Sequence, residues 1–211
     1  MLHLSMAVVS LTIFVGLLAD VLLKGGLFGL DRSVNAWAAS IQSASLNSFM
    51  MAVGLVFDPY GIAVVMMAAA AYMWFKGSRG DSRTVIIAVL LAGAFIEVFK
   101  FAIQRERPLN MVMGVSGFSF PSGHATMAVA LFGSIIRIAG QKGLSRFRYH
   151  AVLAASAFII LLIGFDRIYL NVHWISDVLG GYAAGSFAIS AAILVRARRE
   201  RRTSPFVGPA A

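Results

Sequence analysis

The 211-residue chain has no cysteine and few charged residues, and both shortages narrow what it can be. Without cysteine it can form no disulfide framework, no thiolate nucleophile and no cysteine-ligated zinc site. Charged residues make up 13% of the chain, about half the fraction usual in a soluble domain. Hydrophobic residues make up 59%, and the mean hydropathy is +0.83. This composition indicates a polytopic, all-α membrane protein small enough to be one domain.

Acidic residues are scarce as well, with 9 Asp and Glu against 18 Lys and Arg and a net charge of +9. A surplus of this kind can indicate binding to nucleic acid. Five arginines, however, crowd residues 196–202 directly after an apolar run, where a membrane protein carries its cytoplasmic charge. We therefore expect the lipid bilayer, and not nucleic acid, as the partner of this chain.

Long apolar runs predict six membrane-spanning helices. Each run is close to the 17–25 residues that cross about 30 Å of hydrocarbon. The second run is interrupted by Asp58-Pro59, and the fifth is somewhat short. The predicted spans are 5–23, 46–75, 84–101, 122–139, 151–165 and 174–195.

A short amphipathic segment follows the first span. A glycine-rich stretch at 24–30 is expected to break the helix, and residues 34–44 then place Val34, Trp37 and Ile41 on one face. This pattern predicts a short helix in the membrane interface, with Trp37 at headgroup depth. The predicted fold is a six-helix membrane domain over residues 1–202, followed by a disordered tail at 203–211.

The positions of the cations predict the orientation. Twelve of the 18 Lys and Arg lie in 76–83, in 137–148 and in the 196–202 cluster, all on one side of the predicted bundle. The positive-inside rule then places loops 76–83 and 140–150 and both termini in the cytoplasm. The remaining six cations lie on the outer face, and four of them lie close to helix ends beside histidines and carboxylates. Charge retained there against the positive-inside bias is a candidate for function.

Polar residues on the outer face are suited to binding a phosphoryl group. Lys100, Arg107 and Arg167 supply many hydrogen-bond donors for a dianion and for the charge of its transition state. Ser122 and Gly123 open the fourth span, where the first helical turn offers free N–H groups to an anion. We expect these five residues to form a phosphate-binding pocket.

Two histidines and a carboxylate accompany these residues. His173 and Asp177 are four residues apart, so on one helix they would share a face. Asp177 can hold one ring nitrogen of His173 and leave the other as a nucleophile. His124 is then available as a general acid, and afterwards as a base for water.

Each feature taken alone also has a purely structural interpretation. Cations near helix ends usually snorkel, a serine at a helix start is often only an N-cap, and a His–Asp pair can be an interhelical contact. Two histidines and one carboxylate could hold a metal, but the surrounding cations would repel a divalent ion. The spacing Gly181-x-x-x-Gly185 is typical of close helix packing. The convergence of the polar groups on one face favours phosphoryl chemistry without a metal or cofactor.

Three motifs, in this order, resemble the tripartite signature of the type-2 phosphatidic acid phosphatase superfamily. Its integral-membrane members are lipid phosphatases with six transmembrane helices. The motifs span about 78 residues, and the six-span layout extends the match over most of the chain. They are Lys100-x6-Arg107-Pro108, Pro121-Ser122-Gly123-His124 and Arg167-x5-His173-x3-Asp177.

The resemblance implies a role for each motif residue. His173 resembles the nucleophile that forms a phosphohistidine, Asp177 the residue that orients it, and His124 the acid that protonates the departing lipid oxygen. The five expected pocket residues resemble the family's phosphate cradle. The family needs no metal, and the resemblance implies no cofactor and no obligate protein partner.

Similarity to bacterial members implies a location and a substrate class. The enzyme would lie in the cytoplasmic (inner) membrane, with its site facing the periplasm or exterior, and would act on undecaprenyl pyrophosphate or phosphatidylglycerophosphate. A lipid-to-lipid phosphotransferase is an alternative that shares the phosphohistidine step. A non-catalytic transporter of anions or lipids is a further alternative.

The chain departs from the family pattern at one position. The third motif usually begins with Ser-Arg, and here Asp166 stands in place of the serine. A carboxylate there should repel a phosphate unless it turns away or pairs with a neighbour such as Arg105. Asp166 and Glu97, one turn before the first motif, are candidate modulators, whereas Arg105 and Glu106 are expected to be rim residues.

Overall fold

The structure is a computed structural model that describes residues 2–203, and within that range all regular structure is helical. Six stretches are long and apolar enough to cross a membrane, with α3 and α4 together forming one of them. The predicted all-α bundle with six spans is therefore confirmed. The predicted tail lies outside the described residues except for Thr203. The helices are α1 Leu2–Leu23, α2 Leu27–Ser40, α3 Ala44–Val56, α4 Pro59–Phe75, α5 Arg79–Ile103, α6 Gly123–Gln141, α7 Arg146–Tyr169 and α8 Ile175–Thr203.

Several helices are longer than their apolar runs. The fifth span was expected to be short, but α7 has 24 residues and continues through Asp166 and Arg167. Hydropathy ends the predicted span at these charges, whereas the helix includes them because the two side chains pair with each other. Helices α5 and α8 also extend beyond their apolar runs into charged residues.

The short helix after the first span is present, with bounds that differ from the predicted ones. Only residues 24–26 break the chain, since α2 already begins at Leu27. The side chains that α2 buries are Asp31, Asn35 and Ala38, whereas half of the Trp37 surface is exposed. The helix thus turns a polar face to the protein and an apolar face outward, the arrangement expected of a helix that borders lipid.

Helix α8 lies at the centre of the bundle and packs against α1, α5 and α6. Glycines make the α6 contact close: a Cβ added at Gly181 would lie 2.6 Å from the Ser122 carbonyl oxygen, and one at Gly185 would lie 2.5 Å from that of Thr126. The predicted close packing at these glycines is confirmed. The contact holds the start of α6 against the first turns of α8, where Ser122 N donates to the Asp177 carbonyl at 2.9 Å.

The second span is broken as predicted. Pro59 begins α4, and the Asp58 side chain caps it by accepting from the N–H groups of Tyr60 and Gly61. Helix α3 packs against α7 and brings Gly54 beside the Arg167 guanidinium. The break therefore turns the chain at the level of the predicted site.

The opposite end of the bundle gathers the other charged residues. Asp81 at the start of α5 accepts hydrogen bonds from Arg137 near the end of α6 and from Arg196 on α8. Leu2 and His3 line a cavity of about 590 Å³ together with the same two arginines. The start of α1 and the last turns of α8 therefore lie at one end of the bundle, and the three motifs lie at the other.

Candidate active site

His173 and Asp177 meet across the start of α8, although not as residues of one helix. Helix α8 begins at Ile175, so His173 lies in the preceding turn and the expectation that both share a helix is wrong. The Asp177 side chain instead reaches back, and its Oδ2 accepts from the Trp174 N–H at 2.9 Å. This bond satisfies one of the N–H groups that a helix start leaves free. The same Oδ2 lies 3.4 Å from His173 Nδ1.

The neighbours of His173 define its tautomer. Its Nε2 lies 3.2 Å from Nη1 of Arg107, and a guanidinium can only donate. Nε2 therefore carries the lone pair, and Nδ1 carries the proton that faces Asp177. Burial lowers the pKa of His173 to about 4, with Arg107 and Lys100 adding to the effect and Asp177 opposing it. The ring is thus neutral near pH 7, as a nucleophile requires.

Arg107 is held by backbone carbonyls rather than by carboxylates. Its Nη1 donates to Val172 O at 2.6 Å, its Nε to Gly117 O at 3.0 Å and its Nη2 to Phe118 O at 3.2 Å. These bonds fix the guanidinium beside His173 without neutralising it. Arg107 therefore keeps its full charge for an anion.

Arg167 is held by its neighbour in the sequence. Its Nε donates to Asp166 Oδ2 at 2.6 Å, and its Nη2 contacts the same oxygen. The suggested pairing of Asp166 with Arg105 is therefore wrong, because Asp166 is buried against Arg167 itself. Nη1 of Arg167 points to His124, whose Nε2 lies 3.2 Å away. Asp166 thus neutralises part of the charge of Arg167, and Nη1 of Arg167 remains directed toward His124.

His124 lies in the first turn of α6 with its Nε2 between two partners. The second partner is the carbonyl oxygen of Gly54, also at 3.2 Å. A Cβ at Gly54 would overlap the Arg167 guanidinium, so any other residue there would displace that side chain. No motif in the sequence contains Gly54. A glycine inside a helix costs about 1 kcal/mol relative to alanine, and that cost was the one signal that could have identified it.

Ser122, Gly123 and Lys100 complete the group. Ser122 is buried and caps α6, which fits both the structural and the functional interpretation. Lys100 lies in the last turn of α5, and its ammonium forms no hydrogen bond or ion pair with a described residue. With Gly123, Tyr60 and Glu97 it lines a cavity of about 120 Å³ between α4 and α5. Glu97 is exposed at this cavity.

All eight predicted catalytic and phosphate-binding residues lie at one end of the bundle. His124 and Lys100 are close enough to His173 to interact with it electrostatically, and the other contacts are those given above. Asp166 lies beside this group, and Glu97 is at its edge. Among residues 2–203, no three His, Asp or Glu side chains are arranged to hold a metal ion.

Arg105 was expected at the rim and is instead part of the interior. Its side chain is 13% exposed, with Nη1 2.5 Å from Asp177 Oδ1 and Nη2 2.6 Å from Asp31 Oδ2. Asp31 and Ser176, which also bonds to Arg105 at 2.7 Å, were not identified from the sequence. Nothing in the local pattern links α2 to the third motif.

Comparison with known proteins identifies the family. The model of the PAP2 superfamily matches residues 82–201, more than half of the chain and all three motifs. The chain belongs to the PAP2 superfamily. Phosphatidylglycerophosphatase B of Bacillus subtilis is 28% identical over 180 residues, which are 84% of this chain and 88% of that protein. An undecaprenyl-diphosphatase of Sulfolobus acidocaldarius is 27% identical over 154 residues, 69% of this chain and 68% of that one.

A solved structure supports the same fold. The crystal structure of a transmembrane PAP2-type phosphatidylglycerolphosphate phosphatase from Bacillus subtilis superposes with a TM-score of 0.74 and 23% identity. The superposition covers 93% of this chain and 98% of that one. This PAP2 protein is a multi-pass membrane protein and a lipid phosphatase.

Proposed function

We propose that this PAP2 phosphatase hydrolyses undecaprenyl pyrophosphate or phosphatidylglycerophosphate at the outer face of a bacterial cytoplasmic membrane, without a metal and through a phosphohistidine at His173. The observation that carries the proposal is the state of that histidine. It is a neutral ring with Nδ1 toward Asp177 and an Nε2 lone pair toward the cations. This arrangement suits attack on a phosphorus atom.

In the first step, Nε2 of His173 attacks phosphorus, and the bond from phosphorus to the lipid oxygen breaks. A proton held on His124 passes to that oxygen, so the lipid leaves as an alcohol or as a monophosphate. Asp177 stabilises the positive charge that develops on the His173 ring. Arg107, which bonds to Nε2 in the unliganded site at 3.2 Å, turns that donor to the phosphoryl oxygens.

In the second step, His124 removes a proton from water, which attacks the phosphorus. The nitrogen–phosphorus bond breaks, inorganic phosphate leaves and His173 returns to its neutral form. The cations stabilise the charge of both transition states. The residues with this role are Lys100, Arg107 and Arg167, together with the first turn of α6 at Ser122 and Gly123.

The cavity between α4 and α5 suggests how a lipid reaches the site. It runs from the largely exposed Tyr60 to Lys100 and Gly123, so a phosphate can enter sideways while its tails stay in the bilayer. A larger cavity of about 610 Å³ adjoins Arg107 and is also lined by Lys24 and Arg32. We propose that it takes the second phosphate of a diphosphate or the glycerol phosphate of the headgroup. The names of two relatives favour these two substrates.

The distribution of charge supports the orientation. The cations of the α4–α5 and α6–α7 turns and of the α8 end lie opposite the site. The positive-inside rule then assigns that end to the cytoplasm. A cysteine introduced into the 140–150 loop should react with an impermeant thiol reagent only from the cytoplasmic side, and the reverse result would overturn the orientation.

The test is phosphate release by detergent-purified protein in the presence of EDTA. Undecaprenyl pyrophosphate, phosphatidylglycerophosphate and phosphatidate are compared, with His173→Ala as the inactive variant. His150→Ala is the matched control, because His150 is exposed at the far end of the bundle. We expect release from the wild type and the control, and none from His173→Ala. Activity retained in His173→Ala would remove the proposed nucleophile, and activity lost in EDTA would remove the metal-independent route.

The phosphotransferase alternative is tested in the same assay. Adding a lipid that carries a free hydroxyl leaves phosphate release unchanged if water is the acceptor. Loss of free phosphate with a matching gain of phosphorylated acceptor would favour the transferase.

A further inference from the structure

We propose that Asp31 on α2 is a positioning residue for the nucleophile, acting through Arg105 and Asp177. The inference rests on the proposed role of His173. It extends the site to a helix that contains none of the three motifs and lies outside the matched family region. The juxtaposition that carries it is a chain of contacts from α2 to the His173 ring: two short hydrogen bonds join Asp31, Arg105 and Asp177, and Asp177 Oδ2 lies 3.4 Å from His173 Nδ1.

Both oxygens of Asp31 are used within the protein. Oδ2 accepts from Arg105 Nη2 at 2.6 Å and from the Ser176 hydroxyl at 2.8 Å, and Oδ1 accepts from the Ser176 N–H at 3.0 Å. The residue is 1% exposed. A carboxylate buried to this degree is stabilised only when it is fully hydrogen-bonded and paired. Asp31 meets this condition, and its partners are the groups that contact Asp177.

Arg105 connects Asp31 to Asp177 through its two terminal nitrogens. Nη2 holds Asp31, and Nη1 holds Oδ1 of Asp177 at 2.5 Å. The planar guanidinium fixes the angle between these two bonds, which a lysine ammonium cannot do. The carboxyl torsion of an aspartate is otherwise broad. Arg105 at Oδ1 and the Trp174 N–H at Oδ2 therefore fix the rotation of the Asp177 carboxylate together, and with it the position of the Oδ2 that faces His173 Nδ1.

A second contact joins α2 to the turn that carries His173. Asn35 lies one turn after Asp31 on the same buried face, and its amide nitrogen donates to Asn171 Oδ1 at 2.6 Å. Asn171 is two residues before His173, and Ser176 is three residues after it. Helix α2 thus holds the catalytic turn from both sides, so its position and the orientation of the nucleophile are coupled.

A purely architectural role would give α2 the same contacts but different kinetics. If Asp31 only anchors α2, its loss lowers the fraction of folded enzyme and leaves the turnover of each folded molecule unchanged. If Asp31 positions the nucleophile, turnover per site falls while KM changes little, because the phosphate cradle is intact. Counting the folded sites by bound vanadate, and measuring the single-turnover rate of 32P-phosphoenzyme formation at those sites with an alkaline quench that preserves phosphohistidine, separates the two cases.

The variants are Asp31→Asn and Arg105→Lys, with Ser33→Ala as the matched control. Ser33 lies on the exposed face of α2, where its hydroxyl bonds only to Gly29 O. We expect phosphoenzyme formation per site to fall about 10- to 100-fold in both variants, comparable to removing outer partners that orient metal-bound histidines. KM should stay within about threefold, and Ser33→Ala should match the wild type.

A double variant keeps the test decisive if a single variant fails to fold. Asp31→Asn with Arg105→Gln removes one charge of each sign, so Asp31 is not left as a buried unpaired carboxylate, and Asp177 keeps its contacts with the Trp174 N–H and His173. If the residues act as one unit, its loss of turnover is close to that of Asp31→Asn alone or of Arg105→Gln alone, rather than the product of the two.

Two results would overturn the inference. Wild-type turnover per site in Asp31→Asn would show that α2 is only anchored there, and full rescue by Arg105→Lys would show that charge alone suffices. In either case an inactive His173→Ala leaves the proposed function standing. Activity retained in His173→Ala would instead remove the proposed function itself.

Discussion

Each end of the bundle holds a cluster of arginines and aspartates, with Asp81 between two arginines at one end and Arg105 between two aspartates at the other, and the ends differ in the positive charge that no carboxylate pairs with. At the end opposite the site, Asp81 binds Arg137 at 3.0 Å and also Arg196, which bonds in turn to Glu200. The two arginines of that cluster are therefore matched by two carboxylates. At the site end Arg105 is likewise paired with two carboxylates, those of Asp31 and Asp177. The same end also contains Arg107 and Lys100, which form no ion pair with a described residue.

Cations that are not paired with carboxylates are expected in an anion-binding site, whereas a cluster whose charges are all paired serves as a structural clamp that joins helices. Arg107 is held by carbonyl oxygens, and Lys100 has no carboxylate within ion-pair distance among the described residues. Partly buried cations without counter-ions cost stability, since their desolvation is not repaid. Such an arrangement is explained by an anion that supplies the missing charge, whereas the Asp81 cluster is complete and joins α5, α6 and α8.

The same substitution at the two aspartates gives the sharpest test of this comparison. Asp177→Asn should lower kcat by about 10³- to 10⁴-fold with little change in KM, because the amide disturbs the tautomer and orientation of His173. Asp81→Asn should leave kcat per folded molecule within about twofold. Its effect should be on stability, by about 1–3 kcal/mol, since Asp81 is only partly buried.

Steady-state kinetics on a lipid phosphate and thermal unfolding in detergent measure the two effects. If Asp177→Asn loses mainly substrate affinity, Asp177 belongs to the phosphate cradle and not to the nucleophile. If Asp81→Asn loses turnover at full stability, the far end is not a structural clamp and the comparison fails.

Local patterns in the sequence were enough to predict the number of spans and the gathering of the eight motif residues at one end of the bundle, while the roles of those residues stay predictions. Apolar runs mark membrane helices because lipid imposes their length and composition. The motif residues converge because each motif adjoins an end of a predicted span on the same face. What the sequence could not indicate are contacts between distant segments, such as Asp31 with Ser176, 145 positions apart, or Gly54 with His124, 70 positions apart.

The wrong expectations also have a physical reason. Arg105 was predicted to lie at the rim because a charge near a helix end usually faces solvent. Its burial depends on two carboxylates that lie on other helices. The buried polar face of α2 could not be predicted for the same reason, since its residues bond to Arg105 and to the chain around the start of α8.

A second pair of matched variants, Arg107→Lys and Arg137→Lys, tests directly whether the unpaired cations at the site end bind an anion. Vanadate mimics pentavalent phosphorus and should inhibit competitively. Arg107→Lys loses the planar set of donors and should weaken vanadate inhibition about 10- to 100-fold, the cost of one or two charge-assisted hydrogen bonds. Arg137→Lys, in the balanced cluster, should leave the inhibition constant unchanged. Equal sensitivity in both variants would mean that Arg107 does not bind the phosphoryl group.

The pH dependence of kcat/KM should also respond to the unpaired cations at the site end and not to the paired arginines at the opposite end. Protonated His173 cannot attack, so activity falls as the pH drops through its pKa, which burial with Arg107 and Lys100 lowers from the ordinary 6.5 to about 4. Arg107→Gln removes one of the groups that lower this pKa. The acidic limb should therefore move to higher pH, by up to about 1 unit.

Arg137→Gln is the control for that shift. Arg137 lies 13 residues along α6 from His124, about 20 Å, beyond the screening length of physiological salt. Ionisation of the substrate is common to all variants and cancels between them. A limb that moves equally in both variants, or not at all in Arg107→Gln, would mean that another group controls it.

The smallest expected effect concerns Asp166, the residue that departs from the family pattern. Asp166→Ser frees Arg167 from the carboxylate that its Nε and Nη2 contact, so vanadate and product phosphate should bind about 3- to 10-fold more tightly. Turnover should change less, and the unfolding midpoint should fall because Arg167 is 4% exposed and loses its counter-ion. Glu200→Ser is the matched change at the far end, where an exposed pair with Arg196 contributes about 0–1 kcal/mol. It should alter neither vanadate binding nor the unfolding midpoint measurably. Weaker vanadate binding in Asp166→Ser would give Asp166 the opposite role, that of holding Arg167 in place for the phosphate, and would add a carboxylate to the cradle that the surplus of cations defines.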